Sequence, residues 1–385
     1  MDKQNSCLCP LPWIGLEIRA DGSRSFCCIA NFNFAKEIKS GANGELGSIK
    51  QALLKNIKHE ACSSCWKLEA SGISSRRNKL NSILGDKYKK IEFNITDTFE
   101  PTFLDIKVGN GCNQKCLICG PESSSLWFNE YKYFDPSLPL KRNFNLTKHK
   151  ELLAESIQKA EEIHIAGGEP FLFELELSEF LELSVKSGKS RKQTLLITSN
   201  GSIYPAHLIE KVFPHFENVK IHLSADGIGE QFDYQRFPGK WAIFLENYKK
   251  LQNTAFFDGI CITLSCLNIF YLAEYLSFWD SLSEQKVFIN YLFEPAFLSI
   301  EKLPKQLIDR VVRHLVQQEF KNMSFNFLIS EILQFLDNAE NHEKTEVDEL
   351  VNFLDKHDKY RDLKYETHFP EFASLLKNTW HEKTP

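Results

Sequence analysis

The sequence predicts an α/β fold built on a parallel sheet of about six strands, each followed by a helix-length segment. Three observations predict it. Apolar stretches of strand length recur through the middle of the 385-residue chain. Segments long enough to form helices separate them. Every unusual motif, the cysteine run GNGCNQKCLICG (109–120), GGEP (167–170), TSNG (198–201) and SADG (224–227), lies just after one of these stretches. In parallel α/β sheets ligand chemistry gathers at the carboxyl ends of the strands. Unrelated motifs would not agree on one edge by chance.

Taken in order, TFLDIKV (102–108) reads as the first of these strands, followed by the cysteine loop and a helical stretch from about Ser123. EEIHIA (161–166) runs into GGEP, and a helix follows with Leu175, Leu177, Phe180, Leu181 and Leu183 on its apolar side. QTLLIT (193–198), NVKIHLS (218–224), GICITLSC (259–266) and KVFINYLF (286–293) complete the set. Upstream, WIGLEIRADGSRSFCC reads as a hairpin of two alternating strands with its turn at Asp21-Gly22. From Pro304 onward the chain reads as helical, with Leu307, Ile308, Val311, Val312 and Leu315 at helical spacing, and ENHEKTEVDE (340–349) as a solvated linker or helix face. There is no internal repeat and no low-complexity tract.

Composition limits the function classes. At 43% hydrophobic the chain can bury one large core and a smaller satellite, and a net charge of -5 offers no basic field for nucleic acid or an anionic membrane. The start, MDKQNSCLCPLPW, lacks the apolar region of a signal peptide, and no apolar run reaches the roughly 18 residues of a membrane span. A soluble cytoplasmic protein is expected, so the eleven cysteines read as thiols or metal ligands rather than disulfides. They mark two candidate sites.

The first is Cys112, Cys116 and Cys119, spaced CxxxCxxC on one loop after a strand. Thiolates at such spacing are the ligands of an iron-sulfur cluster. A zinc knuckle fits poorly, because paired CxxC elements are absent here, and the fourth-ligand candidates His149 and His164 precede a helix and lie inside a strand. At this point the sequence resembles the radical S-adenosylmethionine (radical SAM) superfamily over residues 100–295. The resemblance implies a partial (β/α)6 barrel whose three cysteines hold a 4Fe-4S cluster. One iron is left open for the amino and carboxylate groups of S-adenosylmethionine, so the missing ligand is the cosubstrate.

Further residues have physical reasons beside those of the resemblance. Gly167 and Gly168 let backbone approach a ligand closely, and Glu169 adds an acceptor for an ammonium group. The resemblance gives Glu169 the methionine amino group, while Pro170 starts a helix. Ser224 and Asp226 would bond ribose hydroxyls. Thr198, Ser199 and Asn200 offer polar groups to the same pocket, Asn200 foremost, and Ile118 stands where relatives carry an apolar residue beside adenine. Arg236 suits a carboxylate, of S-adenosylmethionine or of substrate, with a plain surface arginine as the equal alternative.

The second site is N-terminal. Cys9, Gly22, Cys27 and the later pair Cys62 and Cys65 resemble the auxiliary-cluster half-motif of twitch and SPASM domains, although those domains usually follow the barrel. The resemblance implies a second 4Fe-4S cluster on Cys9, Cys27, Cys62 and Cys65. Cys7 and Cys28 are near-duplicates that leave the choice open by a residue or two. Trp66 would shield the site, and Arg76 and Arg77 would offset its charge. Zinc is the alternative, since four thiolates in two pairs also make a tetrahedral site. The expected domains are 1–95 (twitch/SPASM-like), 96–296 (radical SAM partial barrel) and 297–385 (helical).

The resemblance implies the chemistry. A reduced cluster cleaves S-adenosylmethionine to a 5'-deoxyadenosyl radical, which abstracts hydrogen from substrate, with flavodoxin or ferredoxin as electron donor. A peptide or protein is the first expectation for the substrate. A small carbohydrate or aminocyclitol, oxidised or epimerised, comes second. A non-catalytic iron-sulfur or zinc scaffold is the reading of another class, and the GGEP and SADG acceptors argue against it. No acid or base is singled out as catalytic.

Overall fold

The computed structural model describes residues 7–31, 44–88, 91, 93–95, 101–140, 150–282, 285–338 and 347–381. His149 and residues 340–346 of the charged segment lie outside the described residues. The chain divides into two compact units. The first comprises Met1–Gly111, Lys141–Thr198 and Pro205–Lys220, and the second Cys112–Leu140, Ser199–Tyr204 and Ile221–Pro385.

The first unit holds strands β1 (Gly15–Ile18), β2 (Arg24–Ser25), β3 (Phe103–Lys107), β4 (Glu162–Ala166) and β5 (Thr194–Ser199, to Thr198 in this unit), in the order β2-β1-β3-β4-β5. β2 is antiparallel to β1, and β1, β3, β4 and β5 run parallel. Alternation along the strands explains the sheet's two faces. Leu104, Ile106, Ile163, Ile165, Leu195 and Ile197 are buried on one face, and each such side chain contributes about 1.5–3 kcal/mol. Asp105, His164 and Thr194 take the other face. Glu17, Asp105 and His164 stand in register across β1, β3 and β4. A one-residue slip would drive Asp105 and His164 into the apolar layer, so the register is fixed. Buried Gln193, at the start of β5, donates its amide to the carbonyls of Ile157 (2.6 Å) and Ala160 (2.8 Å), satisfying the end of helix Lys150–Lys159.

The second unit carries β6 (Asn218–Ser224, from Ile221 in this unit), β7 (Phe257–Leu264) and β8 (Val287–Tyr291), all parallel. Ile221, Leu223, Ile260, Ile262, Leu264 and Ile289 are buried. Its C-terminal part is helical, with Lys305–Leu315, Met323–Asn338, Val347–Arg361 and Pro370–His381 as the longer elements. Leu307, Ile308, Val311 and Leu315 are buried as their spacing predicts.

Three expectations need correcting. The N-terminal hairpin forms, β1 antiparallel to β2 about the Asp21-Gly22 turn, but a short helix, Leu11–Ile14, precedes it, and all four β1 residues are buried because β1 also joins the sheet beside β3. The helix after the cysteines starts at Trp127, not Ser123, because the Ser124 hydroxyl turns back to the Gln114 carbonyl at 2.5 Å. Leu175 is exposed, while Leu177, Phe180 and Leu181 of helix Glu174–Lys186 are buried.

Candidate active site

Sharp turns follow β3 and β4. Gly167 and Gly168 take φ of +82° and +54°, which side chains other than glycine's rarely adopt. A Cβ on Gly168 would lie 2.1 Å from the carbonyl oxygen of Gly111, and the amide of Glu169 donates to that same carbonyl at 2.9 Å. The paired glycines are therefore required by the approach of two backbones. Glu169 is completely buried, and its carboxylate accepts the Phe171 amide at 3.0 Å, capping the short helix that Pro170 opens. The helix-start reading and the ligand-facing reading of GGEP thus share one carboxylate.

Cys112 begins the second unit's cysteine loop. Cys116 is buried, and Cys112, Ile118 and Cys119 are half-buried. Donors surround the sulfurs. The Gln114 amide lies 3.4 Å from Cys112 Sγ, Asn200 Nδ2 3.8 Å from the same atom, and Arg236 Nη1 3.8 Å from Cys116 Sγ. Asn200 also donates to Asn113 Oδ1 at 2.9 Å, and Asn113 donates to Ser202 Oγ at 2.9 Å, so the loop is braced from the end of β5. The Cys119 thiol donating to Cys116, with the Arg236 guanidinium beside it, pulls the Cys116 thiol below its ordinary value against the effect of burial. Such a sulfur set suits an anionic thiolate-ligated group.

Arg236 is the clearest departure from expectation. It is buried, with Nη2 paired to Asp226 Oδ2 at 2.7 Å, so the surface-arginine alternative is excluded by its placement. Asp226 is engaged on its other oxygen too, accepting the Thr263 amide at 2.9 Å. Its carboxylate therefore orients Arg236 toward the Cys116 sulfur, a role the isolated SADG motif did not suggest. Ser224 is half-buried at the end of β6, and Thr198 half-buried at the end of β5. Buried Ser199 accepts the Gly201 amide at 3.1 Å.

Residues that the sequence did not mark hold the loop's far side. The amides of Lys115 and Leu117 donate to the carbonyls of Phe237 (2.7 Å) and Gln235 (2.9 Å), so the segment after SADG runs alongside the cysteines. Lys115 Nζ pairs with Glu130 at 2.5 Å, and Glu130 also receives Arg361 Nε at 3.0 Å and the ring of His357. Burial favours Glu130's neutral form, but His357, Arg361 and Lys115 together hold it down to about 2. Burial lowers His357 against the opposing pull of Glu130.

Residues 106–272 match the Radical SAM superfamily. A match to that family over these residues implies a 4Fe-4S cluster and S-adenosylmethionine as cofactors. Similar solved structures include native anSMEcpe with bound AdoMet, at 18% identity and TM-score 0.42, covering 60% of this chain and 62% of that one. Native anSMEcpe with bound AdoMet and Kp18Cys peptide is similar at 16% identity and TM-score 0.40, covering 60% and 61%. The chain thus spans less than two thirds of the length of these structures. No curated protein matches it. Among the described residues no helix is long and apolar enough to cross a membrane.

The first unit also gathers the N-terminal cysteines. Cys9, Cys27, Cys62 and Cys65 line one small cavity together with Arg76, Arg77 and apolar Leu11 and Phe26. Cys28 does not line it, and its thiol instead bonds Asp105. Cys7 is buried beside the cavity, its amide donating to Asn56 at 2.7 Å. Burial, then the neighbouring Cys65, pushes the Cys62 thiol up to about 12, and burial raises Cys9 further still. Thiols so raised need a cation before they ionise. Arg77 bonds Glu69 at 2.7 Å and stacks 5.1 Å from the centre of Trp66, and Arg76 reaches Asp105 at 3.4 Å. Among the described residues no group of three or more His, Cys, Asp or Glu side chains is placed to hold a single metal ion.

Proposed function

We propose that this chain is a radical SAM enzyme that abstracts hydrogen from a bound substrate, foremost a peptide or protein, with its first cluster held by Cys112, Cys116 and Cys119. The cluster and S-adenosylmethionine, when bound, supply one-electron cleavage of the sulfonium S–C bond and hence a carbon radical that takes a hydrogen atom. The chain's own residues bind and orient. Arg236 and Asn200 donate toward the thiolate sulfurs and lower the cost of burying their charge. Gly167 and Gly168 leave backbone room at the turn after β4. Glu169 accepts from the methionine ammonium, Ser224 from a ribose hydroxyl, and Ile118 covers the adenine.

The observation that carries this reading is the aim of two independent N–H donors, from Arg236 and Asn200, at sulfurs of one three-cysteine loop. Cys9, Cys27, Cys62 and Cys65 are proposed to hold a second 4Fe-4S cluster. The shared cavity supports it. The peptide reading rests on that second site, through the twitch and SPASM resemblance. Reduced flavodoxin or ferredoxin is the proposed electron source.

Anaerobic protein supplied with S-adenosylmethionine and dithionite tests the proposal. Wild type should form 5'-deoxyadenosine, and replacing Cys112, Cys116 and Cys119 together by alanine should abolish it while the protein stays folded. Full cleavage by the triple variant would sink the assignment. Peptide and aminocyclitol pools, added separately, should raise the rate only where they contain substrate. Stimulation by the aminocyclitol pool alone would replace the peptide reading.

A further inference from the structure

We infer that Glu130, together with His357 and Arg361 of helix Val347–Arg361, positions the cysteine loop: by holding Lys115 it fixes where the Cys116 sulfur stands against Arg236. The inference rests on the cluster reading above only for its consequence, not for its geometry. Glu130 is completely buried, and three groups converge on its carboxylate: Lys115 Nζ at 2.5 Å, Arg361 Nε at 3.0 and 3.2 Å, and His357 Nδ1. Arg361 then reaches past Glu130, with Nη2 3.4 Å from the carbonyl oxygen of Lys115. The residue before Cys116 is thus gripped by its side chain from Glu130 and by its backbone from helix Val347–Arg361.

The same helix grips the neighbouring strand of chain. Asp358 accepts the Tyr234 hydroxyl at 2.7 Å, two residues before Arg236. Helix Val347–Arg361 therefore holds both partners of the Cys116–Arg236 contact, Lys115 on one side and Tyr234 on the other. Aromatic rings close the charges off from water: Arg361 lies 4.6 Å from the centre of Trp127, and Lys115 lies 4.8 Å from that of Tyr360. Buried charge groups of this kind are often no more stabilising than an apolar replacement. What they add is directional. Arg361 gives Nε to the Glu130 carboxylate and Nη2 to the Lys115 carbonyl, so the loop cannot slide without weakening the pairing of a buried charge.

Cysteine reactivity tests this in the full-length protein, iron-free, reduced and anaerobic. Iodoacetamide labelling is followed at each cysteine by mass spectrometry. Cys116 is buried in the loop, and Cys266, only 1% exposed, is an internal control in the same unit. Glu130→Gln and Arg361→Lys should speed labelling of Cys116 about tenfold or more through local opening while leaving Cys266 slow. Arg361→Lys keeps the charge and loses the fork, so it decides the question if Glu130→Gln does not fold. Unchanged Cys116 labelling in a folded variant overturns the inference. So does a parallel rise at Cys266, which would make the charge group a general stabiliser. In iron-loaded protein the same variants should release iron from the loop to a chelator faster than wild type. A wild type that takes up no iron there overturns the cluster reading, and the labelling rates still decide the inference.

Discussion

Gly168→Ala is the sharpest structural perturbation of the turn after β4. The substitution meets two costs. Its φ of +54° lies in the left-handed region, where a Cβ costs about 1–2 kcal/mol. The added carbon would also lie 2.1 Å from the Gly111 carbonyl oxygen and 2.8 Å from its carbon, both backbone atoms that cannot rotate away. Gly188 separates the two costs, because its φ is +72° and a Cβ there meets nothing within 4 Å. Loss of unfolded-chain freedom returns about 0.4–1 kcal/mol to either variant, so Gly188→Ala should lose at most about 1.5 kcal/mol. Gly168→Ala should lose about 1–3 kcal/mol more, the usual cost of overpacking. The difference is read from denaturant midpoints of the two variants at unchanged m. Equal midpoints would refute the claim that the Gly111–Gly168 approach, rather than dihedral freedom alone, requires the glycine pair.

Other consequences follow from single side chains. Glu169→Gln keeps an acceptor for the Phe171 amide and removes the charge, so it should weaken S-adenosylmethionine binding by about 1.5–3 kcal/mol in calorimetry with little change in stability. Arg236→Met leaves the Asp226 carboxylate buried and uncompensated, and should cost about 3–5 kcal/mol of stability in denaturant melts. Glu130 gives a pH signature. With its carboxyl lowered from 4.5 to about 2, its contribution is present above pH 4.5 and lost as the pH falls toward 2, amounting to about 3 kcal/mol. Iron-free wild type should lose that stability across the window, and Glu130→Gln should lack this part of the slope. If the N-terminal thiols hold a second cluster, wild type should bind about eight irons and the Cys112/Cys116/Cys119 triple variant about four.

Much of this was legible in the sequence because it is local. NVKIHLS is β6 as read, and the cysteine loop and GGEP each follow a strand. Cys9, Cys27, Cys62 and Cys65 do line one cavity, since a turn at Asp21-Gly22 and a two-residue spacing bring each pair together. What the sequence hid is long-range. Glu130 pairs with residues 227 and 231 positions away, and no local pattern encodes that. Arg236 reads equally as a carboxylate binder or a surface residue until Asp226 is found to receive it. β1 reads as an alternating hairpin strand because nothing within it records the parallel neighbour that buries its second face. Cys28, adjacent to Cys27, differs from it only in facing Asp105, a distinction that needs β3 in place.

The most direct test of the central claim, a cluster on Cys112, Cys116 and Cys119 with one iron open to S-adenosylmethionine, is the electron paramagnetic resonance spectrum of the reduced protein with and without that cosubstrate. The spectrum of wild type should change on adding S-adenosylmethionine, and the triple variant should keep only a signal indifferent to it. A wild-type spectrum that ignores S-adenosylmethionine, or a triple variant that retains the responsive signal, would contradict the account.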